Sequence, residues 1–129
     1  MTERRLRKPT DGELAILRVL WRRGQATVRD VAEELNRQQP TGYTTVLKLM
    51  QIMTGKGLVR REAVGRAHVY RPTLTEEQTQ QQLVRHLLDR AFDGSASKLV
   101  LRALTAAPAA PRELAQVRQL IREMERRAK

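Results

Sequence analysis

Thr10-Asp11-Gly12-Glu13 has the spacing of a helix capping box: a hydroxyl to accept from a free backbone N–H, and a carboxylate three residues on to reach back. A helix over residues 11–23 follows, because Leu14, Leu17 and Trp21 recur at i, i+3 and i+7 beside Leu20, while Arg18 and Arg22 fall elsewhere. Gly24 supplies a stop. Thr27 caps a second, shorter helix in the same way, with Val28, Val31, Ala32 and Leu35 on its apolar face, and it ends before Pro40. After Thr41-Gly42 a third helix spans roughly Tyr43 to Lys56, bracketed at its end by Gly55 and Gly57. At 100° per residue, Val46, Leu47, Leu49, Met50 and Met53 share one broad side, and Thr44, Lys48 and Gln51 the other. Leu47 and Ile52, at the edges of the polar arc, fit the core or a thymine methyl, and the core is the favoured expectation. Leu58–Glu62 and Ala67–Arg71 then read as two short strands joined by the turn Ala63-Val64-Gly65-Arg66, and Pro72 closes the unit.

Three helices and a hairpin in about 65 residues are the order of a winged helix-turn-helix, in which the third helix enters the major groove, the second crosses the backbone and the wing reaches a neighbouring phosphate or the minor groove. The expected fold class is mainly α with a small β-hairpin, followed by a helical dimerisation region. Thr44, Thr45, Lys48 and Gln51 offer hydroxyls, an ammonium and an amide to base edges and phosphates, and Tyr43 stands near the helix start. Arg60, Arg61 and Arg66 charge the wing. These eight residues are the expected DNA-binding set. A merely solvated polar face is the plainer reading, and the hairpin and the charge weigh against it.

The charge is large. The 129 residues carry 25 Lys and Arg against 14 Asp and Glu, a net +11, the balance of a protein that meets polyanions. It is also uneven: residues 1–74 hold 15 basic and 7 acidic side chains, residues 75–129 hold 10 and 7. Residues 1–9, with Arg4, Arg5, Arg7 and Lys8, form either a basic arm along DNA or a solubilising tail. Residues 10–74 form the winged domain. There is no cysteine, so disulfides, thiolate metal sites and cysteine nucleophiles are excluded. No stretch approaches the roughly 18 apolar residues of a membrane span, and neither signal peptide nor anchor is read, so the expected location is the cytoplasm.

From Thr75 a polar run leads into a long amphipathic helix with Leu83, Val84, Leu87, Leu88, Ala91 and Phe92 on one stripe. Asp93-Gly94-Ser95 interrupts it, and a further helix runs from about Ser97 through Leu99, Val100, Leu101 and Leu104. Beyond the linker at 106–111, a last helix over about Arg112–Arg127 sets Leu114, Val117, Ile121 and Met124 at intervals of 3, 4 and 3, a heptad-like seam. Residues 75–129 are too few, with one apolar stripe per helix, to fold alone. A symmetric pairing through Leu83, Leu87, Leu88, Phe92, Leu99, Leu101, Leu104, Leu114, Val117, Ile121 and Met124 is expected, in preference to packing back in a monomer. A two-fold dimer sets its recognition helices about 34 Å apart and reads an inverted repeat.

Catalytic constellations are poor. His68 and His86 without cysteine make no credible zinc site, so no metal or cofactor is expected. Ser95-Ala96-Ser97-Lys98 matches the Ser-x-x-Lys pattern of serine beta-lactamases, but its partner motifs are missing and it reads as a helix start. An enzyme is not expected. The alternatives to duplex DNA binding are a winged-helix module for protein partners and, more weakly, an RNA-binding domain with Tyr43 and Tyr70 as stacking aromatics.

Taken together, Thr10–Leu17 ending in Leu20-Trp21, Thr27-Val28-Arg29-Asp30-Val31, Tyr43-Thr44-Thr45-Val46-Leu47 and Lys56-Gly57-Leu58-Val59-Arg60-Arg61 resemble the penicillinase-repressor family of BlaI/MecI/CopY-like regulators. The similarity extends to Gly65-Arg66-Ala67-His68-Val69-Tyr70 and to Ala91-Phe92-Asp93-Gly94-Ser95 before Leu99-Val100-Leu101. It implies a homodimeric transcriptional repressor on an inverted-repeat operator. It also implies a membrane sensor metallopeptidase as partner, which commonly triggers cleavage in the helix corresponding to about Leu99–Leu104. Arg102-Ala103 stands where the best-known members have Asn-Phe. The C-terminal cysteines of copper-responsive relatives have no counterpart here.

Overall fold

A computed structural model describes residues 8–128, so Arg4, Arg5 and Arg7 of the expected arm lie outside the described residues. The chain divides into two compact units, one ending at His86 and the other starting at Leu87.

In the first unit both expected capping boxes are formed. Thr10 Oγ1 accepts from the Glu13 amide (3.2 Å) and Glu13 Oε1 from the Thr10 amide (2.8 Å), opening helix α1, Asp11–Arg23. Thr27 and Asp30 exchange the same pair of bonds at 3.1 Å and open α2, Val28–Asn36. Helix α3 is Tyr43–Lys56. Gly57 ends it in the left-handed conformation (φ +81°), which leaves Leu58 N–H to reach back to the Met53 carbonyl at 2.9 Å. Gly55, the other glycine bracketing that end, lies inside the helix, as the expected span to Lys56 places it. Only Gly57 takes the positive φ that stops it.

Strands β1, Val59–Val64, and β2, Ala67–Pro72, pair antiparallel from Val59↔Pro72 to Val64↔Ala67. The strands run further than expected. Ala63 and Val64 pair with His68 and Ala67, so only Gly65-Arg66 remain as the turn, with Gly65 at φ +62° in the first central position as a II′ hairpin requires. Ala26, between α1 and α2, exchanges backbone bonds with Tyr70 (3.1 and 2.8 Å), which fastens the hairpin to the helices.

Ile16 and Leu20 from α1, Val31 from α2, Val46, Met50 and Met53 from α3, and Val59 and Tyr70 from the hairpin form one buried core. Leu47 packs against it as expected, but Ile52 does not and stands 43% exposed. Its position explains the difference. Counting 100° per residue, Ile52 falls about 80° from Thr44, while the buried Val46, Met50 and Met53 centre on the opposite side.

Helix α4, Glu76–Ala91, opens with a third reciprocal cap between Thr75 and Gln78 (2.9 and 3.0 Å) and crosses the division between the units. In the second unit, α5 spans Ala96–Ala106 and α6 spans Pro111–Ala128. Each begins slightly earlier than periodicity suggested. Ser95 Oγ accepts from the Lys98 amide at 3.2 Å, so the Ser-x-x-Lys pattern is indeed a helix cap. Pro111 takes the first position of α6, where its missing N–H costs nothing. Neither α5 nor α6 contains a buried residue.

Candidate nucleic-acid interface

Helix α3 is divided lengthwise. Val46, Met50 and Met53 are fully buried, and Thr44, Lys48 and Gln51 on the other side are exposed, with Thr45 exposed at the flank. The buried seam fixes the rotation of the helix about its axis, and so it aims the polar face outward. Tyr43, in the first turn, is 49% exposed.

The start of α3 differs from those of α1, α2, α4 and α5, each of which has a side chain over its first amides. Gly42 is its N-cap, no side chain caps it and no acid lies in the first turn. The leading N–H groups therefore keep their hydrogen-bonding capacity beside the hydroxyls of Thr44 and Thr45, an arrangement that suits phosphate oxygens. A shallow depression of about 450 Å³ next to this end is lined by Arg29, Ala32, Glu33, Asn36 and Tyr43. Arg29 thus joins Tyr43 on one surface. The sequence reading overlooked it, although its place on the polar side of α2 was visible.

In the wing, Arg60, Arg61 and Arg66 are all exposed. The structure does not bring them to one face. Strand alternation and register put Arg60, Glu62, Val69 and Arg71 on one side of the hairpin and Arg61, Ala63, His68 and Tyr70 on the other. Arg60 is directly opposite Arg71, and Glu62 Oε1 accepts from Arg71 Nε at 2.8 Å, which relieves the like-charge contact. Tyr70, offered as a stacking aromatic, is buried in the core. Tyr43 alone of the two suggested tyrosines is available to a base, and the RNA reading loses its platform.

Two ionic clusters hold the helices that carry this surface. Arg22 and Arg23 at the end of α1 meet α2: Arg22 bonds Glu34, and Arg23 lies 3.4 Å from Glu34 and 3.6 Å from Asp30. The Arg22 hydrogen bond, followed by the charges of Arg22 and Arg23, holds the Glu34 carboxyl below its ordinary range. The Thr27 amide does the same for Asp30, aided by the Thr27 hydroxyl and Arg23. The second cluster was not foreseen. Glu13, 1% exposed, receives Lys56 Nζ on both carboxylate oxygens (2.9 and 3.1 Å), which ties the last residue of α3 to the first turn of α1.

His68 is exposed and His86 half-buried. Among the described residues no three His, Cys, Asp or Glu side chains gather as metal ligands, and no helix is long and apolar enough to cross a membrane.

The penicillinase repressor family model matches residues 9–123. The chain belongs to that family. The penicillinase repressor of Bacillus licheniformis is 23% identical over 120 residues, covering 93% of this chain and 94% of the relative. The transcriptional regulator BlaI of Mycobacterium tuberculosis is 33% identical over 92 residues, covering 70% and 67%. A solution structure of the DNA-binding domain of the repressor BlaI superposes with a TM-score of 0.48 at 25% identity, over 52% of this chain and 82% of that one. As a member of this family, the protein is a DNA-binding repressor of transcription and not an enzyme.

Proposed function

We propose that this repressor acts in the cytoplasm as a homodimer on an inverted-repeat operator, with α3 in the major groove of each half-site and the wing on the flanking backbone. The observation that carries the reading is the division of α3, where an exposed Thr44-Lys48-Gln51 face backs onto a fully buried Val46-Met50-Met53 seam. Such a face can lie against base edges with no rearrangement of the core. Thr45, Tyr43 and the free amides at Gly42 serve the phosphates at the helix start. Arg66 at the wing tip and either Arg60 or Arg61, which face opposite ways, serve the backbone beyond.

Dimerisation belongs to the second unit. Leu101, Ile121 and Met124, from the expected set, and Val100 and Leu120, which were not in it, are exposed on helices that bury nothing. Leu87 on α4 is exposed as well. Leu88, Phe92, Leu99, Leu104, Leu114 and Val117 are half-buried, as is Leu83, which precedes the second unit on α4. A second copy that covers these side chains supplies the burial that the unit lacks. The sensor metallopeptidase of the family is the proposed release partner, and Arg102 and Ala103 on α5 are exposed to it.

The test is titration of a duplex selected from a random pool by the wild-type chain. Lys48→Ala and Arg66→Ala should each weaken binding about tenfold without loss of helicity, and should lower the slope of log affinity against log salt by about one each. Unchanged affinity for both variants, or a selection that enriches no sequence, leaves the face to a protein partner instead.

A further inference from the structure

We infer that Ile52 is a specificity-determining residue and reads the 5-methyl group of a thymine in the operator. This rests on the proposed placement of α3 in the major groove. Thr44, Lys48 and Ile52 stand at i, i+4 and i+8, a single ridge on the order of 12 Å long on the free face of α3. The first two members are polar, and the third is a branched hydrocarbon left 43% exposed. One exposed isoleucine on a protein surface is ordinary. Its place in this ridge is what gives it meaning. The base edges in a major groove offer donors, acceptors and a single apolar group, the thymine methyl, so an aliphatic side chain laid there has one complementary partner.

Gly55 supports the same placement. It follows Ile52 on the free face, and its backbone is helical, so no positive φ calls for glycine. A Cβ there would meet nothing within 4 Å, so internal packing does not call for it either. A glycine in an exposed helix interior is destabilising relative to alanine. The open space at Gly55 leaves room for another molecule to approach the last turn of α3 closely, which would bring Ile52 down to the base edges.

The experiment uses the full chain and the duplex that it selects from a random pool. Each thymine is replaced in turn by deoxyuridine, which removes the methyl and nothing else, and affinity is measured by fluorescence anisotropy for the wild type and for Ile52→Ala. At one thymine position the wild type should lose about fourfold, the effect of one buried methyl. Ile52→Ala should lose a similar factor on the unmodified duplex and be indifferent to deoxyuridine at that position. Ile52 lies outside the buried core, 43% exposed, and alanine favours helix, so the variant folds. A consensus without thymine, a wild type indifferent to every replacement, or an Ile52→Ala variant as sensitive as the wild type overturns the inference. Failure to enrich any sequence overturns the DNA reading beneath it, a separate and recognisable result.

Discussion

Glu13 performs two tasks with one carboxylate, the reciprocal cap of α1 and the partner of Lys56. Removing the lysine would leave a buried carboxylate with the Thr10 amide alone. Lys56→Met should therefore lower stability by about 2 to 3 kcal/mol, less than the roughly 3 to 5 of a fully buried pair because Lys56 is partly exposed, as measured by urea denaturation. A loss within 0.5 kcal/mol, roughly the spread of surface substitutions, would mean that the pair contributes little. Only half of this contact was legible in advance. The Thr10-to-Glu13 spacing announces the cap because its partners are three residues apart, whereas Lys56 lies 43 positions from Glu13 and no local pattern links them. Ile52 failed for the opposite reason: its angle on the helix was computable, but its hydrophobicity pulled the expectation inward. Glu34 and Asp30 each add a pH dependence on the acid side. Both have folded-state pKa values below their ordinary ones, so near and below pH 4.5 these two groups bind more protons in the unfolded chain than in the folded one. Their contribution to stability is complete above that range and is lost as the pH falls through the folded values. Thermal melts from pH 7 to pH 3 should show a smaller acid decline for Glu34→Gln than for the wild type, and parallel curves would remove Glu34 from the account.

At the scale of the element, α3 combines a strong end and a bare beginning. Gly57 and the Lys56 pair fix its C-terminus, while Gly42 leaves the first amides without a side-chain partner. Gly42 has φ −72° and ψ 150°, a conformation open to any residue, and a Cβ there would touch nothing within 4 Å. Gly42→Asp would add the missing cap and a favourable charge at the helix start, a gain of about 0.5 to 1 kcal/mol. The same carboxylate would stand where phosphates are proposed to sit. The melting temperature should rise by a few degrees while affinity for the selected duplex falls at least tenfold. A variant that gains stability and binds as well as the wild type would place the start of α3 away from the DNA backbone. The helices and their order were legible because caps, 3.6-residue periodicity and glycine stops are local signals. The extent of the wing was less so, since Ala63 and Val64 are committed to strand only by their pairing with His68 and Ala67.

For the whole molecule, the two units differ in how they satisfy their apolar residues. The first has a closed core of aliphatic, methionine and tyrosine side chains. In the second, Leu101 and Met124 remain 58% and 57% exposed although the periodicity of their helices is that of core-facing segments. The seam of α6 was visible as a 3-4-3 spacing, but the exposure of Val100 and Leu120 was not, because nothing in a single helix fixes which flank of its stripe a neighbour will cover. If a second copy covers this unit, a charge in its middle is expensive on association and harmless in the separated chain. Ile121→Asp should then give a monomer by light scattering at concentrations where the wild type is twice the mass, with the first unit's near-UV signal from Trp21 unchanged. Its affinity for one half-site should equal that of a wild-type subunit, and its affinity for the full inverted repeat should drop by 100-fold or more, since the second half-site no longer benefits from the effective concentration that linkage provides, roughly millimolar for short tethers. A dimeric Ile121→Asp chain, or a monomeric one that holds the full repeat as tightly as the wild type, would detach operator recognition from the pairing of the second unit.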